Sequence, residues 1–330
     1  MDKKSELRRD LVSGDWIVIS ESRSKRKHQF AKKEKRIIVP RSSCPFEDPQ
    51  RSGNKLPILI YPEIGKWRVQ VLENKYPAFK DVKGCAYIFK KGPYSVAEAV
   101  GHHDLVLTRD HNKRFDQLPL AEAELVFRAF KDRYEMHLND PCVSYVSIFH
   151  NWGPKAGASI YHPHYQMIAI PVVPPDVEHS LDGSVRFFEK NKKCVHCVMI
   201  KEEIKEKNRI VFQNKNAVAF APFVSKEPFE LRIFPKKHIP YFEETSEAVL
   251  KDVIKALYFS LKKIAKNMKD PDLNFFIHTA PIKNKKKYHH YHWHIEVIPK
   301  TNIDAGFELS TGIEINTVDP DEAAKILKKN

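Results

Sequence analysis

Three polar side chains spaced two residues apart, His162, His164 and Gln166, follow a glycine-containing loop at residues 153–159. Side chains of a β-strand alternate between its faces, so all three would lie on one face of one strand. Glycines in the loop allow the backbone to approach a phosphate closely. A neutral imidazole can attack phosphorus and form a covalent intermediate. The pattern therefore favours phosphoryl chemistry, and a pair of surface histidines beside a turn is the alternative.

The elements that must position these side chains also follow from the sequence. The mostly apolar run 143–149 predicts a buried strand directly before the loop. Val126, Phe130 and Tyr134 recur at helical spacing, which predicts a helix over residues 119–138. The histidines would thus lie on an antiparallel sheet that packs against a helix.

The second half of the chain repeats the order of the first. In each half a Cys-x-x-Cys or Cys-x-x-Glu pattern precedes a strand that ends in histidine, then a helix, a further strand and a His-x-His pair. The matching histidines are separated by nearly equal numbers of residues along the chain: His111 from His238, and His162 from His292. The first copy would carry an insertion at residues 81–100.

These features predict an α+β fold of two tandem repeats, each an antiparallel sheet with a packed helix. The first repeat would span residues 1–175 and hold the His-Pro-His pair, and the second would span 176–330. The join is expected in or just after the proline-rich stretch 171–175. The helix of the second repeat has one apolar stripe, formed by Leu250, Val253, Ile254, Leu257, Leu261 and Ile264.

Two sets of potential metal ligands occupy matching positions in the two halves. Thiolates and imidazoles suit zinc, and four ligands complete a closed tetrahedral site. The predicted sets are Cys194, Cys197, His238 and His292 in the second half, and Cys44, Glu47, His111 and His162 in the first. Asp48 could replace Glu47 as the oxygen ligand. The alternatives are a redox-active Cys-x-x-Cys pair, and a buried Cys44 thiol beside a surface acid.

The remaining cysteines, Cys85 and Cys142, have no partner in this scheme and are predicted to fill the core. The Cys-x-x-Cys pair favours metal ligation in a reducing compartment over a disulfide framework. No segment has the roughly 18 apolar residues that a membrane span needs, and we find no secretory signal. We therefore expect a cytoplasmic protein.

The net charge of +14 indicates an affinity for anions, including nucleotides, sugar phosphates and nucleic acid. The densest basic run lies between Arg23 and Arg36, and a second one covers residues 283–287. Neither run has the interleaved aromatic residues of a single-strand stacking platform. Nucleic acid is therefore the less favoured partner.

The motif Asn-x-Gly-x-x-x-Gly-x-Ser-x-x-His-Pro-His-x-Gln, at residues 151–166, resembles the signature of the galactose-1-phosphate uridylyltransferase family within the histidine-triad superfamily. The resemblance covers nearly the whole chain. It also includes Cys44-Pro45-Phe46, Asn74, Asp110-His111 and a basic arm with Arg23 and Arg26. It implies two histidine-triad-like repeats.

The resemblance also implies roles for individual residues. His164 would be the nucleophile toward the α-phosphorus of a nucleotide sugar, His162 a zinc ligand, and Gln166 a hydrogen-bond donor to the phosphoryl oxygens. A side-chain amide cannot act as a general base toward water, which favours transfer over hydrolysis. The substrate contacts implied in addition are Ser159, Asn151 and Gly157 at the phosphates, Asn74 at the nucleotide, and Arg23 and Arg26 reaching into the site of the partner subunit of a homodimer.

The favoured function is exchange of a uridylyl group between UDP-glucose and galactose 1-phosphate, by a ping-pong mechanism through nucleotidyl-His164. The alternative is adenylyl transfer, because residues 306–314 resemble the ADP-glucose phosphorylase branch of the family. A nucleotide- or RNA-binding module without turnover is a third, less favoured function.

Two features leave details of the site open. Tyr165 stands where many members of the family carry glycine, and it could narrow the pocket or stack on a base. The second half has its own series, His290, His292, His294 and Glu296, without a phosphate-binding loop before it. We expect His164 to react and His294 to be structural or to line a pocket.

Overall fold

A computed structural model of the chain describes residues 5–20, 38–82 and 84–329. The strands are β1 (Glu6–Arg9), β2 (Trp16–Ile19), β3 (Leu59–Tyr61), β4 (Val69–Glu73), β5 (Phe89–Lys91), β6 (Tyr94–Val96), β7 (His102–Thr108), β8 (Tyr145–Trp152), β9 (His164–Ile170), β10 (Ile210–Gln213), β11 (Ala217–Phe220), β12 (Leu231–Pro235), β13 (Leu273–His278), β14 (His294–Pro299) and β15 (Ile315–Asn316). The α-helices are α1 (Leu120–His137), α2 (Pro175–Asn191), α3 (Val195–Glu206), α4 (Glu247–Met268), α5 (Gly306–Thr311) and α6 (Pro320–Leu327). The predicted α+β class is confirmed.

Ten strands form one sheet in the order β10-β11-β12-β14-β13-β8-β9-β7-β4-β3. Every pairing in it is antiparallel. Each half contributes five strands to this sheet. Numbered along the chain within each half, they lie in the same order from the edge of the sheet to its centre: first, second, third, fifth and fourth. This common order supports the predicted repeat, and the two halves share one sheet rather than forming two.

The two halves meet where β8 pairs with β13. Asn151 lies opposite Asn274 in this register, and Trp152 lies opposite Leu273. The strand predicted from the apolar run 143–149 is therefore a central strand of the molecule. Residues at the carboxyl end of β8, next to the phosphate loop, consequently contact the second half.

Helices α1 and α4 pack on the same face of the sheet and contact each other. Val126, Phe130 and Tyr134 of α1 are fully buried, as their helical spacing predicts. All six residues of the predicted α4 stripe are buried too. Burial of each large apolar side chain stabilises the fold by about 1.5–3 kcal/mol. The helices thus leave the opposite face of the sheet for the polar residues of the site.

Cys85 and Cys142 form a disulfide, with their Cα atoms 4.9 Å apart. Cys85 is exposed and Cys142 is half-buried, so neither fills the core as expected. The bond ties the insertion at residues 81–100, which carries the β5–β6 hairpin, to the loop between α1 and β8. The prediction that these two cysteines have no partner is wrong, because their separation of 57 residues hides their proximity in the fold.

Among the helices within the described ranges, none is both long and apolar enough to cross a membrane.

Candidate active site

His164 is the first residue of β9, and its ring is fixed by the backbone before it. Its Nδ1 lies 2.9 Å from the carbonyl oxygen of His162. A carbonyl oxygen only accepts, so Nδ1 carries the hydrogen and the neutral ring has its lone pair on Nε2. Burial lowers the pKa of His164 below its ordinary value. The ring is therefore neutral at neutral pH and has the form that a nucleophile requires.

The surroundings of His164 are apolar on one side. The ring of Phe46 meets it edge-on, with the ring centroids 5.2 Å apart. Phe46 belongs to a small cluster with Leu72, Leu105 and Leu107 on the face of the sheet opposite the helices. This cluster leaves only 7% of His164 exposed, which is the physical cause of its lowered pKa.

Tyr165 does not line the pocket. Side chains alternate along β9, so Tyr165 points to the helix-covered face, where it is fully buried. Its ring centroid lies 5.5 Å from that of Phe130 and 5.9 Å from that of Phe275. The expectation that this tyrosine narrows the pocket or stacks on a base is wrong; it is a core residue.

The loop between β8 and β9 begins with a single 3-10 turn, Pro154–Ala156, between two glycines. Gly153 and Gly157 both have φ in the left-handed region, at 86° and 83°, which glycine adopts at little cost. A Cβ on Gly153 would lie 2.1 Å from Asp272 Oδ1, so this position also requires a residue without a side chain. Asp272 Oδ2 accepts from the Lys155 amide at 2.8 Å and fixes the turn to the second half.

The predicted phosphate contacts differ in what they can donate. The Gly157 amide already donates to the Pro154 carbonyl at 3.0 Å, so its N–H is not available to a phosphate. Gly157 serves the turn instead. Asn151 accepts at Oδ1 from Asn274 at 2.8 Å, which leaves its NH₂ group for a ligand. Ser159 is exposed at the end of the loop, where its hydroxyl can reach a substrate.

Gln166 lies on the same strand face as His164, and it is brought next to Asn74 by a third residue. His103 Nε2 is 2.9 Å from Gln166 Oε1 and 3.1 Å from Asn74 Nδ2. Sequence analysis missed both His103 and Asn274. A weak signal existed for His103, because it begins the strand that ends near His111. No sequence signal indicated Asn274, since only the β8–β13 register places it beside Asn151.

Three of the four predicted first-half ligands lie close together, as their repeat positions predict. Ligand atoms of Cys44, His111 and His162 lie within 4.8 Å of one another. His162 donates from Nε2 to the Thr108 carbonyl at 2.8 Å, so its Nδ1 lone pair faces Cys44 Sγ at 3.5 Å. A backbone carbonyl that holds the outer ring nitrogen is typical of metal-binding histidines.

Glu47 rather than Asp48 lies beside this group. His111 donates from Nε2 to the Val39 carbonyl at 2.7 Å, so its Nδ1 holds a lone pair. That atom lies 3.2 Å from Glu47 Oε1, and both atoms are buried without a hydrogen-bond partner. Two lone pairs at this distance repel each other, and either a metal ion between them or a proton on Nδ1 would remove the repulsion. Asp48 instead accepts from the Arg51 amide. The donor set therefore fits a divalent metal.

The second-half ligands also converge. Cys194, Cys197, His238 and His292 place one ligand atom each within 4.8 Å of one another. Cys197 Sγ lies 3.3 Å from His238 Nδ1, and His238 donates from Nε2 to the His289 carbonyl at 2.8 Å. A hydrogen bond from Cys197 is the largest cause that holds the pKa of Cys194 well below its ordinary value. A Cys₂His₂ group with a thiolate fits zinc.

His294 and Glu296 of β14 correspond by strand order to His164 and Gln166, but they face a different environment. Glu296 pairs with the buried Arg232 at 3.2 Å, and His294 Nε2 lies 3.3 Å from the same carboxylate. A carboxylate repels a phosphate, whereas the amide of Gln166 can donate to one. This closed ion pair supports His164 rather than His294 as the reacting residue. His290 is buried as well.

Arg23 and Arg26, expected to contact the partner subunit's site, lie outside the described residues.

Comparison with protein families gives two matches. The model of the N-terminal domain of galactose-1-phosphate uridyl transferase matches residues 1–174. A domain of unknown function, DUF4921, matches residues 95–329.

Curated relatives align along nearly the entire chain. ADP-glucose phosphorylase of Arabidopsis thaliana is 32% identical over 99% of this chain and 93% of its own length. Galactose-1-phosphate uridylyltransferase of Thermotoga maritima is 29% identical over 98% of each.

Solved structures give the same result. The A. thaliana ADP-glucose phosphorylase with bound ADP-glucose superposes with a TM-score of 0.84 at 30% identity, covering 99% of both chains. A uridylyltransferase structure superposes with a TM-score of 0.75 at 27% identity, covering 98% of this chain and 97% of that chain. Because the family model matches more than half of the chain and a relative that is 32% identical spans nearly all of it, the chain belongs to the galactose-1-phosphate uridyl transferase family of nucleotidyltransferases.

Proposed function

We propose that this protein exchanges a uridylyl group between UDP-glucose and galactose 1-phosphate through a covalent nucleotidyl-His164. The observation that carries the proposal is the hydrogen bond from His164 Nδ1 to the His162 carbonyl, which leaves the Nε2 lone pair for phosphorus. The T. maritima relative, a galactose-1-phosphate uridylyltransferase, supports this choice of substrates.

The reaction would have two displacements. In the first, the Nε2 lone pair attacks the α-phosphorus of UDP-glucose, the P–N bond forms, and the bond to glucose 1-phosphate breaks with its electron pair on the leaving oxygen. In the second, a phosphate oxygen of galactose 1-phosphate attacks the same phosphorus, and the P–N electron pair returns to Nε2. The ring becomes cationic in the intermediate, and the Nδ1–H bond to the His162 carbonyl stabilises that charge.

The surrounding donors would stabilise the phosphoryl oxygens. Gln166 and Asn151 present side-chain amides, and Ser159 presents a hydroxyl, toward charge that develops during displacement. None of these groups is a general base for water, so the intermediate would react with a sugar phosphate rather than with water. Asn74 would contact the nucleotide from its position beside His103 and Gln166.

We assign zinc to both ligand groups in a structural role. Cys194, Cys197, His238 and His292 would hold one ion, and Cys44, Glu47, His111 and His162 the other. Zinc bound by His162 would fix the backbone carbonyl on which the His164 tautomer depends.

Adenylyl transfer, with phosphate or a sugar phosphate as acceptor, is the second candidate. The A. thaliana ADP-glucose phosphorylase supports it through its 32% identity over 99% of this chain. A nucleotide sugar is the donor in both candidates.

We also propose that the protein forms a homodimer in the cytoplasm. The basic arm of each chain would reach into the partner's site. Cys44, Cys194 and Cys197 are unpaired, and a reducing compartment keeps such thiols available for metal. The Cys85–Cys142 disulfide would be the exception there.

The test is the intact mass of the protein after mixing with UDP-glucose, and separately with ADP-glucose, without an acceptor. The products should be kept mildly basic, because phosphoramidates are acid-labile. We expect a uridylyl adduct in the wild type and none in His164→Ala, which should keep its fold and zinc content. The exposed His179→Ala serves as the matched control and should still form the adduct.

An adenylyl adduct would move the protein to the second candidate. An adduct that persists in His164→Ala would refute the proposed nucleophile. Absence of any adduct in the wild type would refute the covalent mechanism.

A further inference from the structure

Two side-chain amides flank the proposed path of the phosphoryl group, Gln166 on β9 and Asn151 on β8. An amide has nearly the same shape in its two orientations, which differ in whether NH₂ or oxygen faces the substrate. Only the NH₂ group can donate to a phosphoryl oxygen, and an amide oxygen there would repel it. Some feature of the protein must therefore select the orientation.

At Gln166 the selection begins with a backbone amide. The Ala78 N–H donates to His103 Nδ1 at 3.1 Å, so this nitrogen holds a lone pair. The neutral ring must then carry its hydrogen on Nε2. That hydrogen needs an acceptor, and Gln166 Oε1 lies 2.9 Å away. Asn74 Nδ2 also lies 3.1 Å from His103 Nε2. It cannot accept this hydrogen, because an amide NH₂ group has no lone pair to offer. The Asn74 oxygen already accepts a hydrogen bond from the Tyr76 N–H.

At Asn151 the selection begins with a backbone carbonyl. Asn274 Nδ2 donates to the Ala156 carbonyl at 2.9 Å, which identifies this end of the Asn274 side chain as its NH₂ group. The same group donates to Asn151 Oδ1 at 2.8 Å. The Asn151 oxygen is thereby occupied, and its NH₂ group is left for a ligand.

We propose that His103 and Asn274 are positioning residues that fix the amides of Gln166 and Asn151 with both NH₂ groups toward the transferred phosphoryl group. Each relay starts at a backbone group whose role cannot change, Ala78 N–H or the Ala156 carbonyl. The inference rests on the proposed nucleotidyl transfer at His164.

The second relay also explains why the site needs both halves of the chain. Asn274 belongs to β13, and its register opposite Asn151 brings it to the phosphate loop. The second half thus contributes to a site whose nucleophile and loop lie in the first.

A double-mutant cycle tests the His103 relay. We expect His103→Ala and Gln166→Ala each to lower the single-turnover rate of adduct formation about tenfold, the effect of one misplaced hydrogen bond. Nucleotide-sugar affinity, measured in the same variants, reports separately on Asn74, whose side-chain amide also lies beside His103. In the proposed relay His103 affects the rate through Gln166, so the double variant should be no slower than Gln166→Ala. The same cycle with Asn274→Ala and Asn151→Ala tests the second relay.

Three further variants separate positioning from folding. His103→Gln offers an acceptor for Ala78 N–H and a donor for Gln166 Oε1, so it should recover most of the rate lost in His103→Ala. His179→Ala and Asn191→Ala, at exposed positions of α2, are controls for loss of a histidine and an asparagine and should leave the rate unchanged.

Multiplicative effects in both cycles would overturn the proposal, since they indicate residues that act independently. The proposal would also be overturned by ¹⁵N-histidine spectra of the wild type that place the hydrogen of His103 on Nδ1. The His103 signals are assigned by comparison with His103→Gln. A wild type that forms no adduct with any nucleotide sugar would refute the proposed function, while the spectra would still decide the His103 relay.

Discussion

At the scale of single residues, the chemistry depends on hydrogen bonds that fix where each lone pair lies. His164 has its reactive lone pair on Nε2 because the His162 carbonyl holds the Nδ1 hydrogen. His162 and His111 face their ligand group with Nδ1, since backbone carbonyls hold their Nε2 atoms. His164 thus presents Nε2, whereas His162 and His111 present Nδ1, because the backbone carbonyls hold different ring nitrogens.

One half-buried carboxyl in the loop between β11 and β12 predicts how stability depends on pH. Burial, with Asp304, Glu314 and Glu230 nearby, raises the pKa of Glu227 from 4.5 to about 7. A group with a raised pKa stabilises the fold below its unfolded pKa, and this contribution is lost as pH rises through the folded value. At pH 8 we expect the free energy of unfolding of Glu227→Gln to be about 2–3 kcal/mol higher than that of the wild type.

Urea denaturation at pH 4.5 and pH 8 measures this difference. The advantage of the variant should be small at the lower pH, where Glu227 is protonated in the folded protein. The exposed Glu63→Gln should match the wild type at both. An equal gain for Glu227→Gln at both pH values would contradict the prediction.

At the scale of elements, the loop after β8 depends on Gly153 for two reasons, its left-handed φ and the contact with Asp272. Gly65 has almost the same φ, +87° against +86°, but nothing lies within 4 Å of the Cβ it lacks. Gly153 also has ψ of 161°, a combination that residues other than glycine rarely adopt. We expect Gly65→Ala to cost about 1 kcal/mol of stability, and Gly153→Ala to cost about 2–4 kcal/mol because its backbone is more strained and Asp272 must move as well.

Thermal denaturation gives the two stabilities, and the rate of adduct formation gives the effect on function. Gly153→Ala should also slow adduct formation, since Asp272 holds the Lys155 amide and thereby the turn. Gly65→Ala should react at the wild-type rate. Equal losses of stability in the two variants would show that the Asp272 contact is unimportant.

At the scale of the whole molecule, the two halves form one sheet and one main core. Phe115 of the first half and Phe275 of the second have ring centroids 5.9 Å apart within that core. Pairing of β8 with β13 covers an edge of each half. A half made alone would expose both the unpaired edge and the apolar residues around it.

We therefore expect residues 176–330, produced alone, to aggregate or remain without fixed tertiary structure. Co-production with residues 1–175 should yield a soluble complex with a dispersed amide spectrum. Size-exclusion chromatography and two-dimensional NMR check both outcomes, and the intact chain is the control. A well-dispersed spectrum from the second half alone would show that the predicted join at 171–175 separates independent domains.

Residue types and short spacings were enough to predict the candidate site residues and the elements that hold them. Residue type and spacing within one element, His162 to Gln166 or the stripe of α4, are local properties, and local periodicity indicates strand or helix directly. The repeat of ligand positions predicted which distant residues would meet, and the structure brings them together.

Tertiary structure decided the contacts between distant segments that no repeat relates. The Cys85–Cys142 disulfide, the burial of Tyr165 and the relays through His103 and Asn274 depend on which strands are neighbours and in what register. A shift of one residue in that register would turn every side chain of β13 to the other face and separate Asn274 from Asn151. Register is set by packing of the entire sheet, so spacing along the chain cannot reveal it.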